Sequence, residues 1–172
     1  FFEIKEIIRQ KRPKVFFLEN VKNLLSHDNY NTFGVIKKTL EDELGYIVKW
    51  SVVDGANWVP QHRERVFIVG YNPEKVKITD KEVIIILQSP PPCYKKPELS
   101  EIIHNNSEGF TLGPGTWATL ERHKKYHFSK GHGFGYTLHK FPIKRGAVTR
   151  TISARYHKDG AEILIDQKDQ RP

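Results

Sequence analysis

Three apolar, strand-like runs, with one amphipathic helix between the first two, constrain the fold of this chain more than any other feature. Residues 15–18 form a continuous apolar run of the kind found in parallel sheets covered on both faces. Residues 29–44 predict a helix that stops at Gly45, and strand-like runs follow at residues 46–53 and 65–69. Strand, helix, strand, loop and strand in this order predict one half of a doubly wound α/β domain. The apolar face of the predicted helix consists of Phe33, Ile36, Leu40 and Leu44.

The chain changes character after residue 72. Prolines, glycines and asparagines interrupt the polar stretches that follow. This pattern predicts a second, mostly irregular and β-rich segment, with a short helix over residues 117–127. Residues 152–156 and 161–165 are strand-like, and the Asp-Gly pair between them predicts a hairpin. The short apolar run at residues 83–87 suits a buried strand.

Positive charge is concentrated in one part of the sequence. The chain has a net charge of +8, and residues 109–158 alone contain ten Lys and Arg and a single acid, Glu121. A solvated surface usually mixes signs, so this stretch indicates a polyanionic partner, most commonly nucleic acid. The alternative is a basic face without a partner. Five of the eight histidines also lie there, namely His123, His127, His132, His139 and His157.

Composition argues against several classes of protein. A single cysteine rules out an internal disulfide framework and is typical of a reducing compartment. The sequence has no apolar run long enough to span a bilayer and no visible signal peptide. It begins inside a helical pattern and contains no methionine, so we expect it to be a fragment of a longer protein.

Polar residues at the strand ends are the candidates for chemistry. Glu19 directly follows the first apolar run, at the kind of strand end where ligands bind in open α/β sheets. On a strand, Arg63 and Arg65 point to the same face while Glu64 points to the other. Two guanidiniums on one face could hold a carbonyl oxygen and a phosphate. The alternatives are a Glu19 that caps the next turn or pairs with a lysine, and a surface salt-bridge ladder for the arginines.

Both segments together resemble signature blocks of one family. Phe-Phe-Leu-Glu-Asn-Val at residues 16–21 and Pro-Gln-His-Arg-Glu-Arg-Val-Phe-Ile-Val-Gly at residues 60–70 are similar to two blocks of the DNA cytosine-5 methyltransferases. Val-Thr-Arg-Thr-Ile-Ser-Ala-Arg-Tyr at residues 148–156 resembles the penultimate block of that family. Details of these segments, together with Gly-Phe-Gly-Tyr at residues 133–136, look closest to bacterial methylases of CC(A/T)GG sites.

The resemblance implies a reaction and roles for particular residues. Members of this family flip a cytosine out of duplex DNA, add a thiolate to its carbon-6 and transfer a methyl group from S-adenosylmethionine to carbon-5. The implied catalytic residues are Glu19, Arg63 and Arg65. Glu19 would donate a proton to cytosine N3, Arg65 would contact the base, and Arg63 would lie near the backbone and the active-site loop. Asn20 and Gln61 would support them.

The resemblance also implies how the chain is organised. Residues 1–71 would be the C-terminal half of a Rossmann-like catalytic domain, residues 72–147 a β-rich target-recognition domain, and residues 148–172 a block that supports it. Double-stranded DNA is the expected partner of a monomeric enzyme in the bacterial cytoplasm, associated with the nucleoid and not with a membrane. A cognate restriction endonuclease stays open as a second partner. The residues expected to bind DNA are Lys124, Lys125, Lys130, His132, Lys140, Lys144, Arg145, Arg150, Thr151 and Arg155.

Departures from the family pattern limit what this chain is expected to do by itself. The glycine-rich cofactor loop and the Pro-Cys nucleophile loop of the family are missing, so we predict no cofactor-binding residues and no activity for the fragment alone. Cys93 follows both signature blocks, and we interpret it as an incidental loop or core residue. His123 and His127 have metal-clamping spacing, but no third ligand is evident and Lys124 and Lys125 repel a cation, so no metal site is predicted.

Two alternative functions stay open at this point. One is an RNA cytosine methyltransferase of the same superfamily, against which the long basic segment argues. The other is a DNA-binding module that keeps the fold without catalysis. A Pro-Cys loop in the sequence that precedes residue 1 would exclude this second alternative.

Overall fold

The chain forms two compact units. The computed structural model describes residues 1–79, 81–83, 87, 95–103, 109–152, 163–167 and 171–172. The first unit, here called the sheet unit, comprises Phe1–Asp54 and Glu64–Pro92. The second, here called the basic unit, comprises Gly55–Arg63 and Cys93–Pro172. The predicted division at residues 72 and 147 into catalytic, recognition and supporting segments stays a prediction.

The sheet unit is built on three strands. In chain order they are β1 (Val15–Val21), β2 (Ile47–Asp54) and β3 (Glu64–Tyr71), and in space β3 lies between the other two and antiparallel to both. Helix α1 (Phe2–Lys11) precedes β1, and helix α2 (Asn31–Lys38) links β1 to β2. The predicted α/β class is therefore confirmed.

The pairing of β1 differs from the expected parallel sheet. Its described neighbour, β3, runs antiparallel to it. The side chains of Val15 and Phe17 are 49% and 62% exposed, so within the described residues the run is not covered on both faces. A continuous apolar run reports burial propensity and carries no information about strand direction, which explains the error.

The main core lies on the face of the sheet covered by α1 and α2. All four residues of the predicted apolar helix face are buried, as predicted, and they pack with Phe16, Val48, Val66 and Ile68 from the strands. Helix α2 continues into one wider π-helical turn, Thr39–Glu43, and ends where Gly45 adopts a φ of 70°. Gly45 is thus the predicted stop, because its left-handed conformation is costly for residues with a Cβ.

A second, smaller core covers the opposite face of the sheet. Tyr71, Val83 and Leu87 are buried there against partly buried side chains that include Phe67 and Val69. Val83 and Leu87 are helical, so the strand predicted for residues 83–87 is wrong at both ends, and residues 84–86 lie outside the described residues. The reason is a capping arrangement: the Thr79 N–H donates to Glu82 Oε2 (2.8 Å) and the Glu82 N–H donates to Thr79 Oγ1 (3.4 Å), which starts a helical turn.

The basic unit contains the longest described helix of the chain. Its elements are α3 (Leu99–Ile102), α4 (Pro114–Ser129), β4 (Thr137–His139) and β5 (Ile163–Ile165), and β4 pairs with β5 in parallel. Helix α4 extends the short helix predicted at residues 117–127 by several residues, because extended Gly113 caps it and Pro114 fits its first turn. Ile163–Ile165 is a strand as predicted, whereas most of the predicted hairpin lies outside the described residues.

Two sequence blocks that are far apart in the chain meet inside the basic unit. Gln61 and Thr149 form an isolated parallel β-bridge. The Thr149 N–H donates to Pro60 O (2.9 Å), and the His62 N–H donates to Thr149 O (2.9 Å). The Thr151 hydroxyl also donates to His62 O. The start of the Gln-x-Arg-x-Arg block at residues 61–65 is therefore held by residues 149–151. Among the described residues, none of the helices is long and apolar enough to cross a membrane.

A glycine-to-alanine pair tests the packing of the main core. A Cβ at Gly70 would lie 2.0 Å from Phe16 Cζ, and the Phe16 ring is buried against Tyr46 with 5.1 Å between ring centroids. We expect Gly70→Ala to lower the free energy of unfolding by about 1–3 kcal/mol, because the ring has little room to retreat. Gly34→Ala, in α2 with open space around its Cβ, should leave it unchanged or raise it by up to about 1 kcal/mol. Urea unfolding of both variants measures this. Equal effects at the two positions would contradict this packing.

Candidate active site and nucleic-acid interface

Glu19 and Arg65 meet on one face of the sheet. In the β1–β3 register, Val21 pairs with Arg65 and Glu19 pairs with Phe67. The side chains of Glu19 and Arg65 therefore project from neighbouring pairs on the same face of the sheet. Arg65 Nε lies 2.8 Å from Glu19 Oε1. Two of the three predicted catalytic residues are thus in direct contact.

The two partners of this ion pair differ in exposure. The side chain of Arg65 is 17% exposed and its Nη1 also donates to Glu64 O (2.8 Å), whereas the side chain of Glu19 is 47% exposed. The stacked rings of Phe17 and Phe67, with 5.3 Å between centroids, lie on the same face of the sheet as Glu19. The arginine is therefore anchored, and the carboxylate is accessible to a ligand.

The residues around this pair are held in other ways. Asn20 Oδ1 accepts a hydrogen bond from the Val21 N–H (2.8 Å). On the other face of the sheet, Lys22 Nζ lies 2.7 Å from Glu64 Oε1. Arg63 was predicted to share one face of β3 with Arg65. Because β3 begins at Glu64, Arg63 lies before the strand, and the alternation of side chains along β3 does not place it on that face. The Arg63 carbonyl accepts a hydrogen bond from the Gly55 N–H (3.2 Å).

The sheet unit does not fit the cofactor that this family uses. A nucleoside cofactor in an α/β sheet needs glycines after a strand, so that backbone amides can approach it closely. The glycines of the sheet unit are Gly34, Gly45 and Gly70, which lie singly, and the space beside Gly70 is filled by the ring of Phe16. Cys93 lies outside the described residues.

Five of the predicted DNA-binding residues have exposed side chains that make no hydrogen bond or ion pair with the described part of the chain. Such cations are available to a polyanion, because no partner among the described residues neutralises them. They are Lys125, Lys130, Lys140, Lys144 and Arg145. Arg155 lies outside the described residues.

Three other predicted DNA-binding residues have internal partners that the sequence did not reveal. Lys124 Nζ donates to Tyr136 O (3.1 Å). Arg150 donates to Gly135 O (2.9 Å) and to Gly133 O (3.2 Å). The Thr151 hydroxyl donates to a backbone carbonyl of the Gln-x-Arg-x-Arg block. Charge counting cannot find these contacts, because backbone carbonyl acceptors are present in every sequence. The glycine-rich run that supplies two of the acceptors was the only available signal.

Three histidines and a phenylalanine form a cluster beside α4. His123 Nε2 and His127 Nε2 are 3.1 Å apart, and the His127 ring centroid lies 6.0 Å from that of His132 and 5.0 Å from that of Phe134. Burial lowers the pKa of His127, and His123 and His132 lower it further. Among the described residues there is no group of three or more His, Cys, Asp or Glu side chains that could hold a metal ion.

The histidine cluster predicts a stability that depends on pH. Because the pKa of His127 is lower in the folded chain than its ordinary value of 6.5, the unfolded chain binds the proton more tightly. The contribution of neutral His127 to the free energy of unfolding should therefore be fully present above pH 6.5 and decrease as the pH falls through that value. Unfolding in urea at about pH 7.5 and about pH 5 measures the loss. His127→Gln should reduce it, whereas His27→Gln, outside the cluster, serves as the control. An undiminished loss in His127→Gln would contradict this assignment.

Comparisons with known proteins agree with the two signature blocks. A family model described as C-5 cytosine-specific DNA methylase matches residues 1–171. The type II methyltransferase M.SsoII of Shigella sonnei is 42% identical over 100% of this chain and 44% of its own length. The DNA-cytosine methyltransferase of Escherichia coli K12 is 41% identical over 97% of this chain and 37% of its own length. The chain therefore spans less than half the length of these relatives.

A solved structure supports the fold independently of close sequence similarity. The crystal structure of the Dnmt2 methyltransferase of S. pombe matches with a TM-score of 0.55 and 13% identity, over 93% of this chain and 46% of that one. At this identity the match supports the methyltransferase fold alone. The family model and the bacterial relatives lead to one conclusion: this chain belongs to the C-5 cytosine-specific DNA methylase family.

Proposed function

We propose that this chain is the part of a bacterial DNA cytosine-5 methyltransferase that binds the flipped cytosine and recognises the target site. The single observation that carries the proposal is the contact between Glu19 and Arg65, at 2.8 Å on one face of the sheet. The names of the relatives, which are DNA-cytosine and type II methyltransferases, support the choice of substrate.

The Glu19–Arg65 pair suits one edge of a cytosine ring. Atoms N3 and O2 are neighbours on that edge, and both are hydrogen-bond acceptors. When a thiolate adds to carbon-6, negative charge develops at N3 and O2, so donors aimed at these atoms stabilise the transition state. A protonated Glu19 would donate to N3, and the guanidinium of Arg65 would donate to O2.

This role requires the two side chains to exchange partners when the base arrives. Without a base, the guanidinium of Arg65 binds the Glu19 carboxylate. Cytosine would insert its O2 as the new acceptor for Arg65, and the half-exposed Glu19 carboxylate would then take up a proton from solvent and turn the resulting carboxyl group to N3. The exposure of Glu19 supports this movement, because a half-exposed side chain can change rotamer without disturbing the core. The methyl donor and the nucleophile must come from elsewhere in the intact enzyme.

The proposal extends to partners and location. Double-stranded DNA is the proposed substrate, and the exposed cations of the basic unit are proposed to contact its phosphates. An enzyme that methylates chromosomal DNA would be located in the bacterial cytoplasm, at the nucleoid. A cognate restriction endonuclease is proposed as the partner activity, in keeping with the type II names of the relatives.

An RNA methyltransferase is the less supported alternative. The bacterial relatives are named as DNA enzymes, and the excess of positive charge lies in a stretch long enough to contact a duplex. A chimera in which this chain replaces the matching part of M.SsoII would decide, by methylation of duplex DNA or of transfer RNA.

The same chimera tests the role of Glu19. We expect Glu19→Gln to lower the rate of methyl transfer to duplex DNA by about two orders of magnitude or more, because an amide cannot supply the proton for N3. DNA affinity and the unfolding transition should change little, since the pair is partly exposed. Single-turnover incorporation of labelled methyl groups measures the rate.

Glu64 provides a matched control for Glu19. Its carboxylate also pairs with a cation, Lys22, at 2.7 Å and is 45% exposed, but it lies on the opposite face of the sheet. Glu64→Gln should therefore keep nearly the full rate. A Glu19→Gln chimera with near-normal turnover would remove Glu19 from the mechanism.

The proposed phosphate contacts predict a change in salt dependence. Removing the charge of Lys125, Lys144 or Arg145 should weaken binding of duplex DNA and reduce the slope of log K against log salt concentration by about 0.9 for each phosphate that is no longer neutralised. Fluorescence anisotropy of labelled duplex over a range of salt concentrations measures the slope. An unchanged slope in all three variants would mean that these cations face away from DNA.

A further inference from the structure

The loop over residues 131–136, here called the glycine loop, is fixed at its backbone by two cations. Arg150 donates to the carbonyl oxygens of Gly133 and Gly135, and Lys124 donates to that of Tyr136. Three of the last four carbonyls of the loop therefore accept a hydrogen bond from a charged donor. Bonds with a charged donor are stronger than neutral ones. A loop held in this way keeps one shape.

Side chains fix the same loop against α4. Lys124 Nζ lies 4.0 Å from the centre of the Tyr136 ring, and Trp117 packs on that ring with 5.1 Å between centroids. Phe134 packs against His123 and His127, with 5.3 and 5.0 Å between centroids. The loop is thus anchored at Phe134 and at Tyr136.

Gly135 makes this close approach sterically feasible. It is buried, its φ is 131°, and a Cβ there would lie 3.0 Å from Cβ and Cγ of Lys124. A larger residue would be strained in this conformation and would push the loop away from α4. In contrast, His132 and Gly133 are exposed, and Phe134 is 40% exposed.

We propose that the glycine loop is the element that reads base edges in the target DNA, and that Lys124 and Arg150 are positioning residues for it. Both cations bind the loop's carbonyls and do not contact phosphates. The inference rests on the proposed function as a DNA methyltransferase and deepens it. It assigns different roles to the neighbouring lysines Lys124 and Lys125.

The distribution of contacts is the reason for this assignment. Phosphate contacts need cations that are free to reach the backbone, and Lys125 and Lys130 are exposed beside the loop. Base readout needs groups held in one geometry by a supporting layer of contacts, which Lys124 and Arg150 provide. The exposed imidazole of His132 can donate to or accept from a base edge, and the open backbone at Gly133 allows close approach.

Arg150 also connects the glycine loop to residues 60–62. It stands between Thr149 and Thr151, whose backbone and hydroxyl groups bond Pro60 and His62. Within residues 149–151, the side chain of Arg150 therefore holds the glycine loop, and the two threonines hold the residues that precede Arg63.

Selection from a duplex library with a randomised centre tests the inference on the full 172-residue chain. The parent should select a consensus and bind it with a steep salt slope. Arg150→Lys keeps the charge but lacks the two planar Nη groups that donate to Gly133 O and Gly135 O, and Gly135→Ala changes no charge at all. Both should lower the affinity ratio of the selected duplex over a scrambled one by about tenfold or more, with an unchanged salt slope. Lys124→Met should do the same.

Two control variants separate positioning from phosphate binding. Lys125→Met should reduce the salt slope by about 0.9 and keep the affinity ratio. Gly115→Ala, in α4 with open space at its Cβ, should change neither quantity. Helix content from circular dichroism checks that each variant is folded, and if Lys124→Met does not fold, Arg150→Lys and Gly135→Ala decide.

The outcomes distinguish the inference from the proposed function. The inference is overturned if Lys124→Met reduces the salt slope as much as Lys125→Met does and keeps the consensus. It is also overturned if Arg150→Lys and Gly135→Ala keep the full affinity ratio of the selected duplex over a scrambled one. A parent chain that binds DNA without a consensus also overturns it. Absence of any salt-dependent DNA binding by the parent would instead overturn the proposed function.

Discussion

The pairing of β1 with β3 in a single register is the constraint on which the candidate active site depends. Side chains alternate between the faces of a strand, so a slip of one residue would turn Glu19 toward the opposite face from Arg65. The register is fixed by the main core, because Phe16 on β1 must lie over Gly70 and Val66 and Ile68 on β3 must face α2. Packing on one face of the sheet thereby sets the chemistry on the other.

The local parts of this structure could be predicted from the sequence. The buried face of α2 was predicted from the helical spacing of Phe33, Ile36, Leu40 and Leu44, and the end of the helix was predicted from Gly45. The two signature blocks predicted Glu19 and Arg65 as site residues, but they did not predict the ion pair between them. These features depend on periodicity, on turn chemistry and on short motifs, which are all read within a few residues.

The parts that could not be predicted depend on partners far away in the chain. The position of β3 between β1 and β2 is a choice among pairings, and an apolar run is compatible with several of them. The internal roles of Lys124 and Arg150 depend on backbone carbonyls twelve to seventeen residues away, so the sequence shows their charge without showing how it is used. A count of basic residues therefore overestimates the charge that is available to a polyanion.

The bridge between Gln61 and Thr149 has a consequence for the order of folding. Residues 55–63 interrupt the sheet unit between β2 and β3, and the Gly55 N–H and Arg63 O close this excursion at its base. Pairing of β2 with β3 is thus local enough to occur early, whereas the His62–Thr151 contact spans 89 positions. On the ribosome, residues 60–62 are synthesised long before their partners Thr149 and Thr151 emerge. Residues 60–62 would then gain these contacts only after residue 151 has left the ribosome.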